Sequence, residues 1–262
     1  MSLNIATLLL FSVIIKKMLE EFSKKLIFDA HFHYSECSKM GICEFPDGWS
    51  GISCAHSVEE WEIQKNAPES VIKAFGIHPQ IAGFVDIQKY ADFLEKLLLS
   101  GDVSAVGEAG FDHFTEEFKK SKQLQEKAWE IQLELAKKYN KLLIVHCRKA
   151  NEKLFEYSKE LSKLPEVLFH SFMGTPIEAK SLLNRGINAY FSFGKQIFNN
   201  NKKVLACVRE LPAERVIAET DAPYQFLKGE SFTAPNEILK ITEEMNRLKK
   251  NYTFQYYDIS LY

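Results

Sequence analysis

The chain has 262 residues, 46% hydrophobic and 26% charged, with a formal net charge of −2. That length suits a single α/β barrel of roughly 250 residues, and the composition excludes a disordered or low-complexity chain. The near-neutral balance argues against a protein that coats nucleic acid without specificity; local Lys and Arg and bound cations would have to attract an anionic substrate.

The N-terminus carries an uncharged run, Ile5 to Ile15, followed by Lys16 and Lys17. It is shorter than the about 20 residues that a bilayer requires. The charge follows the run, the reverse of a secretory signal, and no small-residue cleavage pattern comes after it. Leu8, Phe11, Ile15, Met18, Leu19 and Phe22 fit helical spacing. Residues 1–24 therefore read as a helical extension (helix over 4–24) docked on a domain of residues 25–262. Deleting residues 1–22 is expected to lower the melting temperature.

Short apolar or β-branched runs then recur at Leu26–Ala30, Ile52–Cys54, Ile72–Gly76, Val103–Gly107, Leu142–His146, Val167–Ser171, Ile187–Phe193 and Arg215–Glu219. Near-continuous hydrophobicity marks strands buried on both faces. Helix-like stretches lie between them at 57–66, 86–99, 116–139, 149–163, 175–185, 199–210 and 234–249. In the clearest, 116–139, Thr115 supplies a cap, Glu116 and Glu117 suit the positive end of the dipole, and Leu124, Ala128, Ile131, Leu135 and Tyr139 form one stripe. Alternation of this kind predicts a parallel sheet, and eight units predict closure into a (β/α)8 TIM barrel in one domain. A doubly wound open sheet is the alternative, but no G-x-G-x-x-G follows the first run.

Five cysteines, at 37, 43, 54, 147 and 207, form no C-x-x-C pair and are odd in number. They read as free thiols in a reducing cytoplasm, as small buried side chains.

Metal-binding residue types sit where the predicted strands end. The first run leads into Asp29-Ala30-His31-Phe32-His33, and residues i and i+2 of an extended chain point to one side, so His31 and His33 can grip one ion. Glu108 follows the fourth run, His146 ends the fifth, His170 lies in the sixth and Asp221 follows the eighth. All would meet at the face where barrel active sites lie. Burying so many ionisable groups without a cation would be costly. The set suits zinc, manganese or iron, and magnesium if carboxylate and water dominate.

Asp29-Ala30-His31-Phe32-His33, Gly76-Ile77-His78-Pro79, Val106 to Asp112, Val145-His146-Cys147-Arg148, His170 to Gly174 and Glu219 to Tyr224 together resemble, in order, the signature blocks of the TatD-type deoxyribonucleases, a family of amidohydrolase-like metal-dependent hydrolases. The resemblance implies two divalent ions (Mg, Mn or Zn). It implies that His31 and His33 hold one, that His146 and His170 hold the other, and that Glu108 bridges. Asp221 would bind the first ion and orient or deprotonate the attacking water. Two such cations about 3.5–4 Å apart can stabilise both the attacking and the leaving oxygen of a phosphodiester. The chain departs from the family pattern at both ends: its first 24 residues are an excess, and the final helix looks shortened or rewritten, a gap that the N-terminal helix could fill.

Beside these, His78 is read as a phosphate contact or a support of the metal shell, and Arg148 as a bidentate phosphate clamp. Asp112 and His113 are expected as lining or supporting residues, Asp29 as a partner of a histidine, and Glu219 as a residue that orients a neighbour. Tyr224 and Phe172 could stack on a base. The leading functional expectation is a cytoplasmic deoxyribonuclease that releases nucleotides from an end of its DNA substrate, monomeric or weakly self-associating and free of any membrane. The alternatives are a related hydrolase of a small ester, lactone or amide, which often carries a carboxylated Lys where Glu108 stands, and a non-catalytic metal-bound scaffold, for which Asp221 would be superfluous.

Overall fold

A computed structural model describes residues 27–249. The helix expected over 4–24 lies outside the described residues. Eight strands, β1 (Ile27–Phe32), β2 (Trp49–Ala55), β3 (Val71–Phe75), β4 (Ala105–Asp112), β5 (Leu142–Arg148), β6 (Val167–Phe169), β7 (Ala189–Phe193) and β8 (Val216–Ala218), pair in parallel and in sequential order. The seam between β1 and the chain after β8 is drawn together by backbone hydrogen bonds: Asp221 N–H donates to His31 C=O (2.9 Å) and His33 N–H to Ala222 C=O (2.8 Å). The expected TIM barrel is therefore the observed fold.

The helices are α1 (Tyr34–Met40), α2 (Val58–Gln64), α3 (Ile87–Ser100), α4 (Glu116–Lys120), α5 (Lys122–Lys138), α6 (Asn151–Glu156), α7 (Ser158–Leu161), α8 (Pro176–Asn184), α9 (Lys202–Glu210) and α10 (Ile238–Lys249). Thr115 caps α4 as expected, its hydroxyl accepting Phe118 N–H at 3.1 Å. The helix read as continuous over 116–139 breaks at Ser121, whose backbone leaves helical geometry (φ −95°, ψ 11°) and whose hydroxyl donates to Phe118 C=O. The expected stripe also shifts. Leu124 is 42% exposed, while Gln125 and Gln132 are buried because the backbone beyond β3 and within β4 needs partners. Gln132 accepts Ile77 N–H and donates to Ile77 C=O; Gln125 does the same for Asp112. These two glutamines hold the strand ends that carry His78 and Asp112.

The last described helix, α10, closes the layer beside β1 and β8. Ile238, Ile241 and Met245 of α10 are buried in the main core cluster, with α10 lying against β1 and β8. The residues after 249 and the N-terminal segment expected to fill a gap here lie outside the described residues.

Ala30, Ile52, Cys54, Ala74, Ala105, Leu142, Ile144, Leu168 and Ile217 fill the barrel interior, and the larger cluster of Phe32, Val106, Phe111, Val145, Phe169 and Phe191 lies between sheet and helices. Strict alternation carries these faces up β2, β3, β5 and β6, so that His56, His78, His146 and His170 continue the inward rows of Cys54, Ala74, Ile144 and Leu168.

Candidate metal centre

On β1 and β4 alternation alone would point the wrong way. Ala30 faces the interior, so its neighbour His31 should face out; Ala105 faces the interior, so Glu108, three residues on, should too. Both strands change register at this point, between Asp29 and Phe32 and between Val106 and Ala109. An extra residue in a strand inverts its subsequent alternation, and His31, His33, Glu108 and Asp112 turn into the barrel mouth. β4 can lie this close to β5 only because position 110 is glycine: its φ is +144°, and a Cβ there would collide with the carbonyl oxygen of His146.

Glu108 stands at the centre, and its two oxygens face different groups. Oε2 lies 3.3 Å from His31 Nε2, 3.6 Å from His33 Nε2 and 2.9 Å from His56 Nε2. Oε1 lies 2.7 Å from His170 Nε2, 3.4 Å from His146 Nδ1 and 3.7 Å from His78 Nε2. Asp221 joins the first group only, with Oδ1 3.2 Å from His33 Nε2 and 3.6 Å from His31 Nε2. Glu108 is shared between the two sides, and His31 also lies close enough to His170 to form one group with it and Glu108.

The atoms behind these side chains decide which of their nitrogens carry protons. His146 Nε2 faces Asp112 Oδ2 at 3.2 Å, so it is the proton-bearing nitrogen and Nδ1 presents a lone pair to the centre. His56 has an acceptor at each nitrogen, Gly76 C=O 3.4 Å from Nδ1 and Glu108 Oε2 2.9 Å from Nε2, so a proton or a cation must lie at the Nε2–Oε2 contact. His78 differs, because its Nδ1 accepts Gln80 N–H (3.2 Å) and its proton sits on Nε2. His170 Nδ1 is buried without a hydrogen-bond partner, 4.0 Å from Glu219 Oε2. Glu219 accepts the hydroxyls of Ser171 and Ser192. Asp221 Oδ2 accepts the amide of Gln225 at 2.6 Å.

Burial and mutual charge shape the electrostatics. Burial alone would raise Glu108, but the charges of His31, His170 and His78 hold it well below the usual carboxylate range. Burial pulls against His170, yet the charge and hydrogen bond of Glu108 lift it to about 9. Burial lowers His31 to about 4. Burial likewise opposes ionisation of Asp221, and the hydrogen bond from His33 with the nearby imidazole charge more than offsets it. Protons on imidazole here occupy the role that cations would fill. Several lone pairs and two carboxylates converge within hydrogen-bonding range, a donor set of imidazole nitrogen and carboxylate oxygen that fits divalent ions.

The structure brings His31, His33, Glu108, His146, His170 and Asp221 together at one end of the barrel. All but the fully buried His31 line, with His56, His78 and Arg148, a cleft of about 610 Å³. Arg148 ends β5 with its side chain 41% exposed, 3.4 Å from Asp112 Oδ2 and stacked 4.2 Å over the Phe114 ring. Asp112 belongs to the site. His113 does not: it is buried with Nε2 unpartnered, near Glu152. Asp29 serves no histidine ring but clasps the barrel seam, accepting Thr220 N–H (2.8 Å) and its hydroxyl (2.6 Å). Phe172 is core, packed on Phe191; Tyr224 is 49% exposed and lines the cleft. Sequence reading missed His56. The signal was present in Cys54-Ala55-His56, where alternation from the end of a strand run puts the histidine inward. No cysteine is paired, and burial pushes Cys147 up to about 12, which leaves no thiolate nucleophile beside the centre.

The model of the TatD-related DNase family matches residues 28–258. The chain belongs to the TatD-related DNase family. Its sequence is 34% identical over 214 residues to an uncharacterised metal-dependent hydrolase of Mycoplasma genitalium, covering 75% of this chain and 80% of that protein. It is also 34% identical over 178 residues to a protein of Edwardsiella piscicida named 3′-5′ ssDNA/RNA exonuclease TatD, covering 67% and 66%. The fold matches the crystal structure of YjjV, a TatD homologue from Escherichia coli K12, with a TM-score of 0.75 at 23% identity over 87% of this chain and 92% of that one. This TatD-family protein is thus an enzyme, a metal-dependent hydrolase. No helix among the described residues is long and apolar enough to cross a membrane.

Proposed function

We propose that this enzyme removes nucleotides from an end of DNA by attack of water on a phosphodiester. The observation that carries the reading is the position of Glu108, one carboxylate with each oxygen turned to a separate set of imidazoles and Asp221 on one side only. Two divalent cations, held by His31, His33 and Asp221 on one side and by His146 and His170 on the other with Glu108 shared, would ready the water and offset charge on the attacking and leaving oxygens.

The chain's own residues supply the rest. Asp221 takes the proton of the attacking water, its carboxylate kept in one orientation by Gln225. His78 Nε2–H, which faces His146 Nδ1 at 3.3 Å, would donate to a phosphate oxygen once His146 is engaged by a cation. Arg148 clamps the neighbouring phosphate, its guanidinium plane held by Phe114 and Asp112. A neutral ester would need no such clamp. A cleft of about 610 Å³ is of the size that encloses a small ligand, room for a terminal nucleotide rather than for a duplex. The exonuclease name carried by the Edwardsiella relative supports end attack on a single strand.

The test is an assay of metal-stripped protein with Mg²⁺, Mn²⁺ or Zn²⁺ added back, on end-labelled single-stranded DNA, the matching RNA, and generic esters. Metal-dependent shortening of the DNA is expected. Rapid ester hydrolysis with DNA and RNA intact would overturn the nuclease reading and leave the metal centre standing.

A further inference from the structure

We infer that His56 is a ligand of the cation on the Oε2 side of Glu108, beside His31, His33 and Asp221. The inference rests on the two-cation reading above and adds to it a residue outside the six-member set that the sequence pointed to.

Three observations converge. The first is the tautomer. When Nδ1–H donates to Gly76 C=O, 3.4 Å away, Nε2 has an unshared pair to offer a cation. This is the arrangement in which a histidine serves as a metal ligand, with the remote N–H anchored on a carbonyl. The second is what that pair faces. Glu108 Oε2, itself only an acceptor, stands 2.9 Å away. Two acceptors at that separation need a proton or a cation between them, and a bound divalent ion would take the place of the proton, with His33 also in reach. The third is fixation. His56 N–H donates to Glu60 Oε2 at 2.7 Å, and Ser57 caps α2 by accepting Glu60 N–H at 3.1 Å. The residue is therefore tied at both its backbone and its ring before any ion arrives, as a preformed site requires.

His78 gives the internal contrast. It sits on the opposite side of Glu108 at a similar depth, but Gln80 N–H occupies its Nδ1 and leaves Nε2 as a donor. It cannot coordinate in that tautomer. Both histidines lie in reach of Glu108, but only His56 has a carbonyl at Nδ1 to anchor a ring whose Nε2 faces a cation.

The consequence concerns the kind of ion. His31, His33 and His56 put three imidazoles on one side of Glu108. A set so rich in nitrogen favours zinc or another late first-row ion over magnesium, which selects oxygen and water.

The experiment uses the full-length protein freed of metal. Zn²⁺, Mn²⁺ and Mg²⁺ are titrated by calorimetry, bound metal is counted by elemental analysis, and the Co²⁺ form is examined by visible absorption. Wild type is compared with His56→Ala, His56→Asn and His78→Ala. We expect both His56 variants to lose at least about tenfold in zinc affinity at one of two sites, the loss typical of a disturbed metal shell. The other site should be unchanged, the Co²⁺ absorption should alter, and Mg²⁺ binding should move less. His78→Ala should keep both zinc affinities within about twofold. His56→Asn, with metal-free melting equal to wild type, separates lost coordination from misfolding. A wild type that binds two ions and His56 variants that bind both unchanged, with an unaltered Co²⁺ spectrum, would overturn the assignment alone. A wild type that binds no divalent ion would overturn the metal centre itself.

Discussion

Gln225 donates its side-chain amide to Asp221 Oδ2 across 2.6 Å, and both residues hold left-handed backbone, at φ 56° and 52°. Ser171, at φ 46°, accepts from the same amide. Left-handed non-glycine residues are uncommon and persist where their surroundings hold them; here three of them form one hydrogen-bonded unit beneath the site. The unit fixes which oxygen of Asp221 turns toward His31 and His33. Gln225→Leu should therefore lower kcat about tenfold with KM nearly unchanged, because orientation and not binding is lost. Steady-state kinetics checks this, and a rise in KM at constant kcat would contradict it.

Asp221→Asn keeps the shape of the side chain and removes its basicity. Melting temperature should stay within about 2 °C of wild type, while kcat falls by about 10²–10⁴. Retention of most of the rate would mean that another group takes the proton.

Arg148 is half-exposed and rests on Phe114, so its loss should not disturb the core. Arg148→Ala should raise KM for an oligonucleotide about tenfold and reduce the slope of log affinity against log salt by about 1, the signature of one lost phosphate contact. Phe114→Ala should move KM the same way by less. Titrations at several salt concentrations decide it, and an unchanged slope would remove Arg148 from the phosphate path.

Metal and protons compete at this centre. His170 in the metal-free protein is lifted from 6.5 to about 9 by the charge and hydrogen bond of Glu108, which overcome its burial. A raised histidine stabilises the fold fully below about pH 6.5 and loses that contribution as pH climbs through about 9. The metal-free enzyme should therefore melt several degrees lower at pH 9.5 than at pH 6.5, while the metal-loaded enzyme should not show this loss. Metal binding near pH 7 should release protons, and calorimetry in buffers of different ionisation enthalpy counts them. Binding with no proton release would refute the coupling.

Lys195, only 2% exposed, sits just beyond β7 and is held by Glu230 at 2.6 Å and Glu237 at 2.9 Å. It ties the long segment after β8, which carries Tyr224 and Gln225, to the barrel. Lys195→Ala leaves both carboxylates without their cation and removes the tie, and should lower the melting temperature by about 5 °C or more. A change under 2 °C would show the tie to be dispensable.

The alternation of apolar runs with helical stripes is a local property, and it was enough to read a parallel barrel and to place His31, His33, Glu108, His146, His170 and Asp221 at strand ends. Boundaries were less legible. β4 runs on to Asp112 rather than ending at Gly107, and two buried glutamines on α5 fill positions that hydrophobic periodicity ignores, because their partners are backbone groups of other strands. What the sequence by itself determined was which residue types reach the mouth of the barrel. Which way they point was decided in three dimensions. The register shifts in β1 and β4 invert the alternation that would have turned His31 and Glu108 outward, and pairing with neighbouring strands sets those shifts. The tertiary structure also separates His56 from His78. Both are single histidines after a strand run, and only the folded chain sets a carbonyl, of Gly76, beside Nδ1 of one ring and an N–H, of Gln80, beside Nδ1 of the other.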